Sequence, residues 1–220
     1  WQKKTSPQND AKYFSDNHDF IIAYAKKKSQ TDSDLGFSIK LLERTEKHNA
    51  NYTNPDNDPR GNWMRGDFSV KTYSEDYDYE ILLPSGRKVK SPRGRCWMTS
   101  KERYKELVKD NRIWFGKDGD SIPAIKRFLS EVKQGITPLT IWFADEVGSN
   151  SVARRTLKEI FSEVDLPFEN PKPVSLIKKI LKLSTDKSSI ILDSFAGSGT
   201  TAHAVLDLNK EDGGNRKFIL

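Results

Sequence analysis

"SSIILDSFAGSGTTAHAVLDLN", Ser188–Asn209, is the stretch whose reading decides the fold. Ile190–Leu192 is a short apolar run, expected as a buried strand. Ser194–Gly199 is a glycine turn, and a helix is expected from Thr200 onward. In an open α/β sheet, ligands bind where strand ends meet helix starts. Asp193 sits at that junction, where a carboxylate accepts bonds from a cationic amine or from backbone amides. Gly197 and Gly199 let the chain turn tightly and approach a ligand without a Cβ in the way. Thr200 and Thr201 open the helix, whose first amides favour an electronegative group. A P-loop would place a lysine before its Ser/Thr, and "GSGTT" has none. The dinucleotide frame G-x-G-x-x-G is broken at Ala202. Two readings stand on these residues alone: a ligand loop, or a purely structural turn.

Outward from this loop, "NRKFIL" begins a second strand. "NPKPVSLIKKILKLS" predicts a helix entered through proline, with Val174, Ile177, Ile180 and Leu181 on one face. Further upstream, "RIWFGKDGDSIPAIKRFLSEV" predicts a short strand, a Gly/Asp turn and a helix. "TSKERYKELVKDN" predicts a helix with Thr99 or Ser100 as N-cap. "YDYEILLPSGRKVKSPRGRCW" reads as a hairpin around Pro84-Ser85-Gly86. "SDLGFSIKLLERTEKHN" predicts a helix, and Phe20–Ala25 in "HDFIIAYAKKK" a buried strand.

The 220 residues allow one large or two small domains. Five tryptophans argue against wholesale disorder. No apolar run approaches the ~18 residues of a membrane span, and no signal peptide is visible, so a cytoplasmic protein without membrane association is expected. A lone Cys96 excludes an internal disulfide and reads as a buried small hydrophobe. No Cys/His cluster points to a metal. His18, His48 and His203 lack ligand spacing, and His203 reads as packed or capped rather than catalytic. Net charge is +6, but Arg87–Lys133 alone holds fourteen Lys or Arg against six Asp or Glu. A basic surplus interleaved with aromatics is the footprint of a phosphate-backbone contact, with a solvated lysine-rich surface as the bland alternative. Arg87, Lys88, Arg93, Arg95, Arg112 and Lys117 are the candidate residues for such a nucleic-acid contact, joined by Lys90, Lys126 and Arg127. Trp63, Trp97, Ile113, Trp114 and Phe115 are expected in the core.

"LDSFAGSGTT" resembles the S-adenosylmethionine-binding motif I, D-x-F-x-G-S-G-T-T, of amino-methylating DNA methyltransferases of the beta class. The following "AHAVLDLNKEDGGNRKFIL" is similar to the modification (Mod) subunits of type III restriction–modification systems. "HDFIIAYAK", "NPDNDPRGNW", "PSGR", "GRCW", "NRIWFGKDG", "IKRFLSEVKQGITPLTIW", "EVGSNSVARRTLKEIF" and "NPKPVSLIKKIL" resemble further blocks of that family in the same order, over nearly the whole chain.

The resemblance implies a circularly permuted order: catalytic block, target-recognition region, then cofactor motifs X and I. Residues 1–28 would end the catalytic half, 29–165 would form the recognition region, and 166–220 would start the cofactor half. The implied fold class is α/β, an α+β recognition domain with an incomplete Rossmann-like S-adenosylmethionine-binding fold. Asp193, Phe195, Gly197, Gly199 and Thr200 match motif I, and Lys172 and Pro173 match the "KP" of motif X. These are the candidate cofactor-binding residues. Ser194 departs from the aromatic usual in the subfamily.

No catalytic residue is assigned. The family's Asp/Asn-Pro-Pro-aromatic tetrad is absent, with Asp58-Pro59-Arg60-Gly61 a near miss. The acid that commonly holds the cofactor ribose would fall beyond Leu220. The 220 residues are therefore expected to be an inactive piece with weak or absent cofactor binding. The intact enzyme would methylate adenine N6 in double-stranded DNA from S-adenosylmethionine, with a restriction (Res) subunit and a second Mod subunit as partners. A non-enzymatic DNA-binding recognition module and a cytosine N4 methyltransferase are the alternatives.

Overall fold

The computed structural model describes residues 1–29, 36–163 and 168–220. Helices and strands are mixed along the chain, which divides into two compact units. One spans Glu43–Gln134; the other combines Trp1–Leu42 with Gly135–Leu220.

The Glu43–Gln134 unit opens with a single helical turn, α1 (Glu46–Asn49). Strand β1 (Trp63–Asp67) runs directly into the short β2 (Ser69–Val70). The hairpin expected around Pro84-Ser85-Gly86 forms from β3 (Ile81–Leu82) and β4 (Lys88–Val89), with Gly86 at φ +89° in its turn. Next, β5 (Cys96–Trp97) pairs antiparallel with β2. Helix α2 (Lys101–Lys109) is capped by Ser100, whose hydroxyl accepts from the Arg103 amide. Strands β6 (Ile113–Trp114) and β7 (Ala124–Phe128) follow, and β7 lies between β1 and β6 in an antiparallel sheet.

The helix expected after Ile122 is therefore strand β7. Its residues alternate, with Ala124, Lys126 and Phe128 inside and Arg127 outside. Lys126 hid that alternation, because lysine is rarely buried unless paired. The core joins Phe68, Ile81, Leu83, Val89, Trp97, Leu107 and Ile113. Phe68 packs its ring 5.8 Å from Trp97 and 5.7 Å from Tyr104. The Trp97 indole donates to the Tyr79 carbonyl at 2.7 Å, so this buried polar atom is satisfied. Trp63 and Cys96 are buried as expected, with Trp114 and Phe115 half-buried.

In the other unit, α3 (Ala144–Val147) ends at Gly148 with φ +79°. Helix α4 (Asn150–Ile160) starts at the Ser149 cap, whose hydroxyl accepts from the Val152 amide. Helix α5 (Val174–Ser184) is entered through Pro173. Then β8 (Ile190–Leu192), α6 (Thr200–Asp212) and β9 (Lys217–Ile219) form a strand–helix–strand unit, with the two strands parallel. Val174, Ile177 and Leu181 of α5 pack with Ala204, Val205 and Leu208 of α6. Ile180, expected on the same face, instead packs with Trp1, Val147 and Leu176. Arg216 fastens the crossover: its guanidinium meets the Asp212 carboxylate at 2.9 Å, and its backbone exchanges two bonds with the Asn209 amide.

Three expectations about local structure change. Phe20–Ala25 forms no strand, and Phe20, Ile22 and Tyr24 are exposed. An apolar segment becomes a strand only where a neighbour takes its amides, and none of the described residues pairs with this one. The helix expected over 33–49 begins outside the described residues. From Gly36 to Arg44 the chain is non-helical because distant partners take its amides: Leu183 accepts from Lys40, and Ile136 exchanges bonds with Leu42. Strand β8 exists but is not buried, since Ile190 and Leu192 stay exposed and Ile191 alone packs on α6.

Candidate functional site

Asp193 leaves the end of β8 and closes the loop that follows. One carboxylate oxygen accepts from the Phe195 amide at 3.1 Å, the other from the Thr201 hydroxyl at 2.7 Å. The end of the strand is thereby stapled to the first turn of α6. Gly197 (φ +54°) and Gly199 (φ +72°) both adopt the left-handed conformation. A Cβ on Gly199 would meet no atom within 4 Å, so the loop leaves open space there. Among the described residues, no acceptor takes the amides of Thr200, Thr201 or Ala202. These first-turn donors, at the positive end of the helix dipole, are available to an anionic or electronegative group.

The motif X residues come to the same place. The Thr200 hydroxyl donates to the Lys172 carbonyl at 3.2 Å and also meets the Ser198 hydroxyl at 2.9 Å. Lys172, Pro173, Ser198, Thr200 and His203 line one side of a cleft of about 290 Å³. The apolar face of α4, with Val152, Leu157 and Ile160, lines the other side. The Lys172 ammonium lies 5.3 Å from the centre of the Trp1 ring, and the Trp1 indole donates to the Gly148 carbonyl at 2.8 Å. The Phe195 ring projects outward, 91% exposed.

Of the candidate cofactor residues, Lys172, Pro173 and Thr200 thus share the cleft, while Asp193, Gly197 and Gly199 shape the loop beside it. Phe195 gives the loop its amide and points its ring away. The sequence reading missed the α4 wall and Trp1. The α4 signal was present in the Ser149 cap followed by apolar residues at 152, 153, 157 and 160. Trp1 had none, because its partners at the cleft, Gly148 and Lys172, lie more than a hundred residues away in the chain. His203 lines the cleft, and its ring nitrogen lies 3.9 Å from the Asp207 carboxylate one turn on.

The candidate DNA contacts fall into two groups. Arg87 pairs with Asp120 at 2.9 Å, and Lys88 with Glu80 at 3.1 Å. Arg95 reaches Asp67 at 2.7 Å and the Ser69 hydroxyl at 2.8 Å. Arg112 forks onto Glu131 at 2.6 and 2.8 Å and adds Asp110 at 2.7 Å. The Glu131 contact is the main cause of the upward shift in the pKa of its guanidinium. Arg93 and Lys117 are exposed and make no ion pair among the described residues. Lys126 lies inside, bonded to Asp56 and, at 3.1 Å, to Asp58. It is unavailable to a phosphate.

A family model described as DNA methylase, covering N6 and N4 transfer, matches residues 1–219. The chain belongs to this DNA methylase family. Its relatives include the type III restriction-modification enzyme StyLTI Mod subunit of Salmonella typhimurium, 36% identical over 225 residues that cover 100% of this chain and 32% of the relative. The EcoP15I Mod subunit of Escherichia coli is 27% identical over 98% of this chain and 37% of its own length. The EcoPI Mod subunit of Escherichia phage P1 is 31% identical over 94% of this chain and 34% of its own. The chain thus spans about a third of the length of these relatives. Among the described residues, no helix is long and apolar enough to cross a membrane.

Proposed function

We propose that these residues are the recognition and cofactor-loop part of a site-specific DNA methyltransferase of the type III modification kind. The supporting observation is the Asp193 loop: a carboxylate and open helix amides held beside the Lys172–Pro173 segment, in a chain that belongs to the DNA methylases. The expected cofactor is S-adenosylmethionine, whose methionine end carries an ammonium and a carboxylate. The donor set fits both groups. Asp193 keeps acceptor capacity for a cation beyond its two loop bonds, and the Thr200–Ala202 amides offer donors to a carboxylate. Bound there, the cofactor supplies an activated methyl group. The chain's own residues bind and orient: Asp193 fixes the loop, Gly197 and Gly199 allow close approach, and the α4 face limits water beside it.

On this reading, the strand–helix–strand unit is one part of a Rossmann-like sheet, and the Glu43–Gln134 unit is the core of the target-recognition region. The expected substrate is adenine N6 in double-stranded DNA, taken out of the base stack. A restriction subunit and a second modification subunit are the expected partners. Because the family name covers N4 as well as N6 transfer, cytosine N4 is the second reading. The test is methyl transfer by a full-length polypeptide carrying these residues, with duplex DNA and labelled S-adenosylmethionine, followed by mass spectrometry of the nucleosides. N6-methyladenine is expected. N4-methylcytosine would move the target base, and neither product would overturn the assignment.

A further inference from the structure

Arg65, on β1, is exposed and makes no hydrogen bond or ion pair among the described residues. It lines an open cleft of about 500 Å³ together with Asp67, Ser69, Arg95 and Pro123. Arg95 lies at the same cleft in a fixed pose. Its Nε donates to the Ser69 hydroxyl at 2.8 Å, and one terminal nitrogen donates to both Asp67 and the Ser69 carbonyl. The Ser69 amide and hydroxyl in turn hold Asp67 at 2.9 and 2.8 Å. Among the described residues, these bonds leave the other terminal nitrogen of Arg95 with no acceptor. The Asp67 carboxyl sits below its ordinary value, chiefly through the Ser69 amide, with Arg95 and Arg65 adding to the effect. Pro92 also lines the cleft, and the next residue is the exposed Arg93, which makes no ion pair among the described residues.

The cleft therefore combines a free guanidinium, a second one fixed in orientation, and a third beside its rim. Of the other basic candidates, Arg87, Lys88 and Arg112 already face carboxylates, and Lys117, which makes no ion pair among the described residues, does not line this cleft. A cation engaged by a carboxylate must break that pair to neutralise a phosphate, whereas an unpaired cation releases bound counterions at once. We propose that this cleft is where the Glu43–Gln134 unit grips the DNA backbone, with Arg65 and Arg93 neutralising phosphates and Arg95 orienting one through its free N–H groups. This inference rests on the reading of that unit as DNA-binding.

The test uses the 220-residue chain and a fluorescein-labelled duplex of mixed sequence, with affinity measured across a salt series. Each phosphate contact contributes about 0.9 to the slope of log affinity against log salt. Arg65→Ala is expected to lower the slope by about 0.9, and the Arg65→Ala/Arg93→Ala double variant by about 1.8. Lys88→Ala should leave it unchanged. Arg65→Lys keeps the charge and should keep the slope; a loss as large as that of Arg65→Ala would mean the effect is not one of charge and would overturn the proposal. Normal DNA binding with an unchanged slope in Arg65→Ala would overturn the cleft and leave the DNA-binding reading standing. No binding by the parent chain at any salt would overturn both. Arg65 makes no structural bond, so its variants are expected to fold, checked by circular dichroism.

Discussion

Asp58 and Asp193 are both aspartates that tie a turn together, and their surroundings separate structure from function. Asp58 receives five donors: the Arg60 amide, two nitrogens of the Arg60 guanidinium, Asn111 and Lys126. Its side chain has no exposed surface. A carboxylate offers about four lone-pair sites, so Asp58 is saturated. Among the described residues Asp193 receives two donors, one from its loop and one from the first turn of α6, and stands beside helix amides that have no acceptor. A saturated acid holds a fold together, while an acid with spare capacity beside open donors can hold a ligand. The contrast also explains the near-miss tetrad. Asp58-Pro59-Arg60-Gly61 looks like catalytic material in sequence, yet its acid is fully engaged by the unit around it.

The harshest way to test that contrast is Lys126→Met. This removes the cation from between Asp56 and Asp58 and leaves two carboxylates without their inner partner. Breaking a buried pair on one side costs about 3–5 kcal/mol, and that loss is expected in the urea transition of the Glu43–Gln134 unit. A loss under about 1 kcal/mol would mean the cluster behaves like a surface pair. The same cluster predicts a pH response. Hydrogen bonds from Arg60 above all, then from Lys126, hold the Asp58 carboxyl far below its ordinary 3.8. A depressed pKa contributes stability that is complete above the unfolded value and is lost as pH falls toward the folded one. Stability should therefore decline as pH drops below about 4. The decline should be shallower in Asp58→Asn, read from urea midpoints at pH 7, 4 and 3.

What the sequence made legible, and what it did not, follows the same division. The β8–loop–α6 unit was readable because its signals are local: a three-residue apolar run, two glycines, then helical spacing. The hairpin at Pro84–Gly86 and the Ser100 cap were readable for the same reason. The Asp58 cluster was not, because Lys126 lies 68 residues from Asp58 and nothing local marks a lysine as buried. Strand β7 was misread as a helix because its central residue is that lysine. The pairing of Arg87 with Asp120, Arg95 with Asp67 and Arg112 with Glu131 was equally invisible, since these carboxylates lie 33, 28 and 19 residues away. Sequence counted positive charge and could not tell committed from available cations. Phe20–Ala25 failed differently: its composition is that of a strand, but pairing is a property of neighbours.

A milder break falls on Asp193. Asp193→Asn keeps the size and one acceptor but replaces the oxygen that takes the Thr201 hydroxyl. One hydrogen bond contributes about 0.5–1.5 kcal/mol, so global stability should change by no more than that. Binding of S-adenosylmethionine by a polypeptide carrying the loop should fall tenfold or more, measured by calorimetry. A large loss of stability with unchanged binding would make Asp193 an acid of the Asp58 kind and sink the contrast.

The smallest effect is the difference expected between two glycine variants, and it probes the open space at Gly199 directly. Gly199→Ala forces an L-residue to φ +72°, which costs about 1–2 kcal/mol in backbone strain. The added methyl meets nothing within 4 Å, so no packing cost should join it. Gly116 provides the matched control. It has a similar φ of +83°, but a Cβ there would lie 2.3 Å from the Ser121 hydroxyl oxygen. Gly116→Ala should therefore cost more than Gly199→Ala by the work of moving Ser121. If the two cost the same in thermal melts, the space above Gly199 is filled in solution. The loop would then be closed in the way Asp58 is closed, rather than open to a ligand.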